Sequence, residues 1–387
     1  MAAKITEIRA HALNAKLARA FVMGTEAFGT AGLIVVEVRT DAGVSGIGLI
    51  HGRAVPQVMA ALAEVGPVLQ GMAALEHLTV WEKVFGATRQ GGASSAVLDV
   101  AGAGFRTTQR TPMLAAMAGI DFALWDLKGK LLGEPVYRLL GATKRKLRVY
   151  ASGGYYAKDG DGTGPFGVVE EMAGYVQAGF KAVKMKVGGA PLAIDVERVK
   201  RVREAIGGAA LMLDASRSYA LPEAMAAARA FEPFDITWFE EPLEWYDSVR
   251  GLAPLAQASH IPLASGESEP HAWACRDLVD TGAVRFLNFD GTRNGGATEW
   301  LRIAAYADLH AVVMTTHHAP HIQGHLTLTT RHEPWIETFV DPARDPFWDT
   351  LYTQRASIVD GQLELLDAPG FGIEIDWKAV EHFRMQS

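Results

Sequence analysis

The sequence predicts an α/β protein, a (β/α)8 TIM-type barrel preceded by a smaller mixed module. Three observations carry that reading. The chain has 387 residues, more than one average domain needs. About half of it, 49%, is apolar, enough to bury a large core. From about Leu147 onward a helical pattern followed by a short apolar strand recurs over roughly 200 residues, the signature of a parallel sheet closing on itself.

The first module comes first in the chain and has no repeat. Alternating apolar residues predict strands at Ile5–Leu13 and Leu33–Arg39, glycines mark a turn through Gly43–Gly48, and amphipathic patterns predict helices near Val55–Met72 and Leu75–Phe85. The repeating region opens with strand Leu147–Ala151. Helix Val168–Ala178 then leads to strand Ala182–Val187, helix Ala193–Ile206 to Leu211–Ala215, and helix Pro222–Phe231 to Ile236–Glu240. Helix Ser248–Ala258 precedes Pro262–Gly266, helix His271–Thr281 precedes Val284–Asp290, helix Ala297–Leu309 precedes Val312–His317, and helix Ile322–Arg331 precedes Trp335–Phe339. That makes eight strands. The tail from Ser357 is short, strand-like and punctuated by glycine, so it is expected to return to the first module.

Composition narrows the function. There are 37 Lys and Arg against 44 Asp and Glu, with no basic tract, which argues against nucleic acid as a partner. No apolar run reaches the roughly 18 residues of a membrane span, and Met1 to Ala10 does not read as a leader, so a soluble, cytoplasmic protein with no membrane partner is expected. With Cys275 as the single cysteine, an intramolecular disulfide and a Cys-rich zinc site are both excluded. Any metal must be held by oxygen or imidazole.

In such a barrel the C-terminal mouth carries the chemistry, and nearly every strand here ends in a polar residue. Strand two ends in Lys184-Met185-Lys186, three in Asp214, four in Glu240-Glu241, five in Glu267, six in Asp290, seven in His317-His318 and eight in Glu337. Asp214, Glu240 and Glu267 on successive strands would repel one another unless a cation joined them, and Mg2+ suits an all-oxygen set that leaves room for water or substrate. Singly, each could be a salt-bridge partner or a helix cap. Lys184 and Lys186 share a face, and a cation and a second ammonium nearby would lower the pKa of Lys186 toward that of a base; alternatively the pair makes ordinary salt bridges. Across the mouth His317 is expected to be oriented by Asp290. The cluster His317, His318, His321, His325 could instead pack together or form a zinc site. Glu241 is expected to face the helices, and Glu337 either to donate a hydrogen bond when protonated or to pair with a lysine.

These motifs occur in an order that resembles the mandelate racemase subgroup of the enolase superfamily. The matching runs are Ala118–Lys130, Gly133–Tyr137, Leu139–Gly141, Lys184-x-Lys186, Asp214, Trp238–Pro242, Gly266-Glu267, Asp290 with Arg293 and Gly295-Gly296, Thr316-His317 and Trp335–Glu337. The resemblance implies an α+β capping domain, residues 1–140, over a barrel, 141–355, with the tail 356–387 returning to the cap. It also implies Mg2+ on Asp214, Glu240 and Glu267, Lys186 as base, Lys184 beside it touching the substrate carboxylate, His317 with Asp290 as second acid/base, and Glu337 hydrogen-bonded to that carboxylate. Ser216 stands where the family often has Asn. The chemistry implied is removal of a proton α to a carboxylate, giving an enediolate. Val149–Tyr156 and Lys184–Pro191 are similar to segments of acid-sugar dehydratases, which favours loss of water from a sugar acid, whereas Thr315–His321 departs from that pattern. A racemase or epimerase of a 2-hydroxy acid is the alternative, and a non-catalytic binding protein the remote one. The expected partner is a small carboxylate, a sugar acid, and the chain is expected to form a homo-oligomer.

Overall fold

The computed structural model describes residues 3–23, 26–52, 54–87, 110–143, 145–157 and 166–385. The chain opens with an antiparallel meander, β1 (Ile5–Met23), β2 (Glu26–Thr40) and β3 (Ser45–His51), and β5 (Tyr156–Ala157) adds to its far edge beside β1. Helices α1 (Val55–Leu69), α2 (His77–Ala87) and α3 (Arg110–Leu132) cover one face of it. Ile34, Val36 and Ile50 from the sheet meet Leu62 and Val65 of α1, Trp81 of α2, and Met117, Ile120 and Leu124 of α3 in one apolar core.

Helix α3 has no counterpart in the sequence expectation. It is buried from Met113 to Leu127 on every side, so it shows no amphipathic stripe. Gly46 and Gly48 explain how it fits. They were expected in a turn, but β3 begins at Ser45, and a Cβ at either glycine would stand 2.0 Å from a carbonyl oxygen of α3. Those glycines let the helix lie directly on the strand.

Two acids of α3 fasten this cap. Asp121 accepts from the backbone N–H and hydroxyl of Thr298, both at 2.8 Å. Asp126, wholly buried, accepts from Ile47 N–H and Phe371 N–H at 2.8 Å each and from the Lys130 ammonium at 2.7 Å, tying strand, helix and tail together. Replacing Asp126 by Ala should therefore destabilise the fold by roughly 2–4 kcal/mol, since two buried donors at about 1–3 kcal/mol each lose their acceptor and the carboxylate's own burial cost offsets part. The urea midpoint should fall; an unchanged midpoint would refute this account of the cap.

The second region is the barrel. Strands β4 (Lys146–Gly153), β6 (Ala182–Lys186), β7 (Ala210–Asp214), β8 (Ile236–Glu240), β9 (Leu263–Ser265), β10 (Val284–Leu287) and β11 (Val313–Met314) lie parallel in that order, and β12 (Ile336–Thr338) pairs with β4. Seven of the eight seams thus carry ladders. Between β11 and β12 no ladder is formed among the described residues; the Thr315 hydroxyl donates to the Trp335 carbonyl across that seam. The short α4 (Val136–Leu139) leads into the barrel, and α5 (Gly167–Gln177), α6 (Leu192–Ile206), α7 (Leu221–Phe231), α8 (Ser248–Ala258), α9 (Ala272–Asp280), α10 (Gly296–Leu309) and α11 (Pro320–Thr327) wrap it. Among the described residues, no helix is long and apolar enough to cross a membrane.

The tail departs in part from expectation. After α12 (Phe347–Thr350) and β13 (Tyr352–Gln354), the hairpin β14 (Ser357–Val359) and β15 (Gln362–Glu364) pairs antiparallel with β4, through Leu363 opposite Leu147, instead of going straight to the cap. The hairpin extends the sheet at the start of β4, burying Leu363 and Leu365 beside Val149. Only then do β16 (Glu374–Ile375) and α13 (Trp377–Phe383) turn back, where Met385 N–H donates to Ala12 O at 2.9 Å.

Candidate active site and metal centre

The barrel register brings the strand-end groups together. Lys186 lies opposite Asp214, and Asp214 opposite Glu240, at the last residues of β6, β7 and β8. Glu267 follows β9 by two residues. One carboxylate oxygen from each of Asp214, Glu240 and Glu267 falls within 4.8 Å of the others, with no sulfur or imidazole in the set. Three closely set oxygen anions suit a hard divalent cation and no soft one.

The two lysines occupy that anionic ground. Lys184 Nζ, fully buried, is 2.6 Å from Glu240 Oε1, 2.8 Å from Glu337 Oε1 and 3.6 Å from Asp214 Oδ2. Lys186 Nζ donates to Asp214 Oδ2 and, at 3.1 Å, to the Ser216 hydroxyl, which itself donates to Asp214 Oδ1. Ser216 therefore fills the position left in question by the sequence. The lowered pKa expected for Lys186 presupposes a cation at the triad; without one the balance is different. Burial does depress the lysine's pKa, but the Asp214 carboxylate, with Tyr155 and Glu267 behind it, holds the ammonium above its usual value. The same balance raises Lys184, where burial is outweighed by Glu240 and Glu337. Burial pushes Glu240 upward, aided by Asp214, Glu267 and Glu337.

His317 stands across the mouth. Its Nδ1 is 2.8 Å from Asp290 Oδ2. An ionised carboxylate only accepts, so Nδ1 carries the proton and Nε2 is turned toward the other acids, 3.4 Å from Glu267 Oε2. Asp290 is ionised: burial opposes it, but His317, His51 and Arg293 hold its carboxyl far below the usual range. Its other oxygen accepts from Thr292 N–H at 2.9 Å and from Gln323 Nε2 at 3.2 Å.

The remaining expectations sort by geometry. Glu337 pairs with Lys184, accepts from His318 N–H at 3.2 Å, and is lowered by Lys184 and His317 against its burial, so it is an acceptor and not a protonated donor. Glu241 is buried just past the strand, accepting from Ser265 Oγ at 2.9 Å and Gly266 N–H at 3.1 Å. The four histidines do not converge: His321 Nε2 meets the Tyr352 hydroxyl at 3.0 Å, and His325 Nδ1 accepts from Tyr137 N–H at 3.1 Å.

Other residues at the site escaped the sequence reading. Asn288 donates to Glu240 Oε1 at 3.0 Å and accepts from Glu267 N–H at 3.2 Å. Its place two residues before Asp290 was a usable signal, since alternate residues share a face. His51 arrives from the cap, its ring centroid 3.7 Å from that of His318 and its Nδ1 3.8 Å from Asp290. Burial keeps His51 neutral, with its pKa lowered to about 3.

A cavity of about 1070 Å³, part of it open to solvent, lies over these groups. Lys186, Glu267, His317 and Glu337 form its floor, and Phe21, Leu33, Leu49 and His51 of the cap its roof.

Known proteins share this arrangement of domains. Residues 5–141 match the family described as mandelate racemase / muconate lactonizing enzyme, N-terminal domain, and residues 167–379 match the enolase C-terminal domain-like family. D-galactarolactone cycloisomerase of Agrobacterium fabrum is 32% identical over 99% of each chain. Arabinonate dehydratase of Saccharolobus solfataricus is 29% identical over 81% of this chain and 79% of its own. A mandelate racemase/muconate lactonizing enzyme from a marine actinobacterium, solved in complex with magnesium, superposes with a TM-score of 0.84 at 31% identity, covering 99% of this chain and all of that one.

Proposed function

Because the chain belongs to the mandelate racemase/muconate lactonizing enzyme family of the enolase superfamily, we propose that it is a Mg2+-dependent acid-sugar dehydratase. The observation that carries this reading is the pair of proton-transfer groups, Lys186 and the Asp290-oriented His317, facing one cavity from strands three apart around the barrel. Asp214, Glu240 and Glu267 would hold the Mg2+, whose charge replaces the lysines as counter-ion and stabilises the negative charge that appears on the substrate carboxylate.

The chain's own residues do the rest. Lys184, anchored by Glu337, directs its ammonium at the substrate carboxylate. With Mg2+ taking over Asp214, Lys186 would be released from that ion pair, and in its neutral form it takes the α-proton, leaving an enediolate. The electron pair of that C–H bond becomes the new carbon–carbon double bond as the β-carbon–oxygen bond breaks, and His317, doubly protonated as the imidazolium, gives its Nε2 proton to the departing hydroxyl. Water leaves, and the enol becomes a 2-keto-3-deoxy acid. Asp290 accepts the Nδ1–H of that imidazolium and stabilises its positive charge.

A second reading is supported by the full-length cycloisomerase relative. There the leaving β-oxygen would belong to a ring, and the same two groups would open it. One assay separates the cases: a panel of sugar acids and their lactones with Mg2+, followed by proton NMR and 2-keto acid detection. A dehydratase forms keto acid from open-chain acids, and excess EDTA stops it. Turnover confined to lactones would replace the first reading with the second, and inversion at the α-carbon without keto acid would point to a racemase.

A further inference from the structure

We propose that the cavity binds a second carboxylate at Arg344, which makes the substrate a dicarboxylic sugar acid. This rests on the reading above, in which one carboxylate sits beside Lys184 and Lys186. Arg344 lies on the loop after β12 and borders the same cavity. Its guanidinium is walled by aromatic rings, 4.8 Å from the centroid of Phe21, 5.2 Å from Tyr155 and 4.5 Å from Phe339. The backbone N–H of Arg344 donates to Asp341 O at 2.9 Å, so a tight turn fixes where the side chain starts.

The guanidinium is hydrogen-bonded to Tyr155 and attracted at longer range by Asp345 and Glu337, but no carboxylate is in direct contact with it. Its Nε is sealed from solvent without a hydrogen-bond partner, and among the described residues no carboxylate comes within ion-pair distance of it. The adjacent Asp345 is occupied, accepting from Phe347 N–H at 3.0 Å. A sheltered cation without a direct carboxylate partner is costly, and a planar fork of donors is the group best matched to a carboxylate. By contrast, Lys186 on the cavity floor is already paired with Asp214, and buried Lys184 with Glu240 and Glu337.

Tyr155 sets the spacing. Lys186 Nζ is 5.4 Å from its ring centroid and the Arg344 guanidinium 5.2 Å, so the two cations stand no farther apart than those distances joined end to end. With hydrogen-bond reach of about 2.8 Å at each end, an open-chain sugar acid with carboxylates at both ends fits between a proton-abstracting Lys186 and Arg344. A sugar acid with one carboxylate would put a hydroxyl at Arg344 and leave the cation without a direct carboxylate partner.

The test compares hexaric acids, with two carboxylates, against hexonic acids of matching hydroxyl configuration on the Mg2+-supplemented protein. Two readouts are taken, keto acid formation and calorimetric binding. The best hexarate should exceed its hexonate in both kcat/KM and affinity by on the order of 100-fold, the scale expected when a sheltered charge gains its partner. Arg344→Gln should collapse that ratio, while Arg344→Lys, which keeps the charge, should retain part of it. A preference for hexonates, or equal loss for both classes in Arg344→Gln, overturns the proposal. If no acid is turned over, the dehydratase reading fails, yet an Arg344-dependent binding preference for the diacid would still uphold the second-carboxylate site, and its absence would sink that too.

Discussion

Lys186→Met should lower kcat/KM by on the order of 10⁴-fold, near the upper end of what a positioned general base contributes. The loss should fall on kcat, because Lys184 and the acidic triad that would hold Mg2+ remain. The same variant has a second signature that a purely structural lysine would not share. Without metal, Lys186 is the closest counter-charge to buried Asp214, and removing one partner of a buried ion pair costs up to roughly 3–5 kcal/mol. The cost here is smaller, since Lys184 Nζ stays 3.6 Å from Asp214. Metal-free Lys186→Met should therefore melt below the metal-free parent, and Mg2+ should stabilise the variant more than it stabilises the parent. Calorimetric melting of both proteins with and without Mg2+ reads this directly. Equal Mg2+ stabilisation of the two would show that the lysine and the cation do not compete for the same carboxylates.

That competition also bears on the pKa expected for Lys186. The sequence places a lysine among acids but says nothing of its pairing, and a lowered pKa for Lys186 was inferred by assuming a cation already at the triad. In the structure the acids turn to the lysines instead, and Asp214 raises Lys186.

Legibility followed physical period. The barrel strands could be read because each is a short apolar run bracketed by an amphipathic helix, so β6, expected at Ala182–Val187, forms at Ala182–Lys186, and β8 forms at Ile236–Glu240 as expected. Their polar last residues could be read for the same reason, since a strand end in a barrel has one destination. Helix α3 could not, because a helix buried on all sides has no stripe, and no spacing within Ala118–Lys130 connects Asp121 to Thr298 or Asp126 to Ile47 and Phe371. His51 and Arg344 were equally hidden. Each reaches the cavity from a distant part of the chain, one from the end of β3 and one from the loop after β12, and no spacing connects either to Lys186.

Asp290→Asn should cost about 10²–10⁴-fold in net dehydration while sparing much of the α-proton chemistry. The reasoning starts from the tautomer. Asp290 Oδ2 holds the Nδ1–H of His317 at 2.8 Å, and its other oxygen is occupied by Thr292 and Gln323, so the carboxylate has one orientation available. An amide in its place presents either a weaker acceptor or an NH2 donor to Nδ1. In the second case the imidazole proton moves to Nε2 on a neutral ring, and the positive charge that would make His317 a strong acid is no longer supported by an adjacent anion. His317→Asn removes the acid altogether and should match or exceed that loss. Lys186 is untouched in both variants. Substrate recovered from deuterated water should then show deuterium at the α-carbon faster than keto acid accumulates, a partition the parent enzyme should not display. If Asp290→Asn dehydrates at the parent rate, the His317–Asp290 pair has no part in expelling the hydroxyl. If exchange and dehydration fall together in His317→Asn, the histidine acts at the first proton transfer, and the roles of the two groups must be reversed.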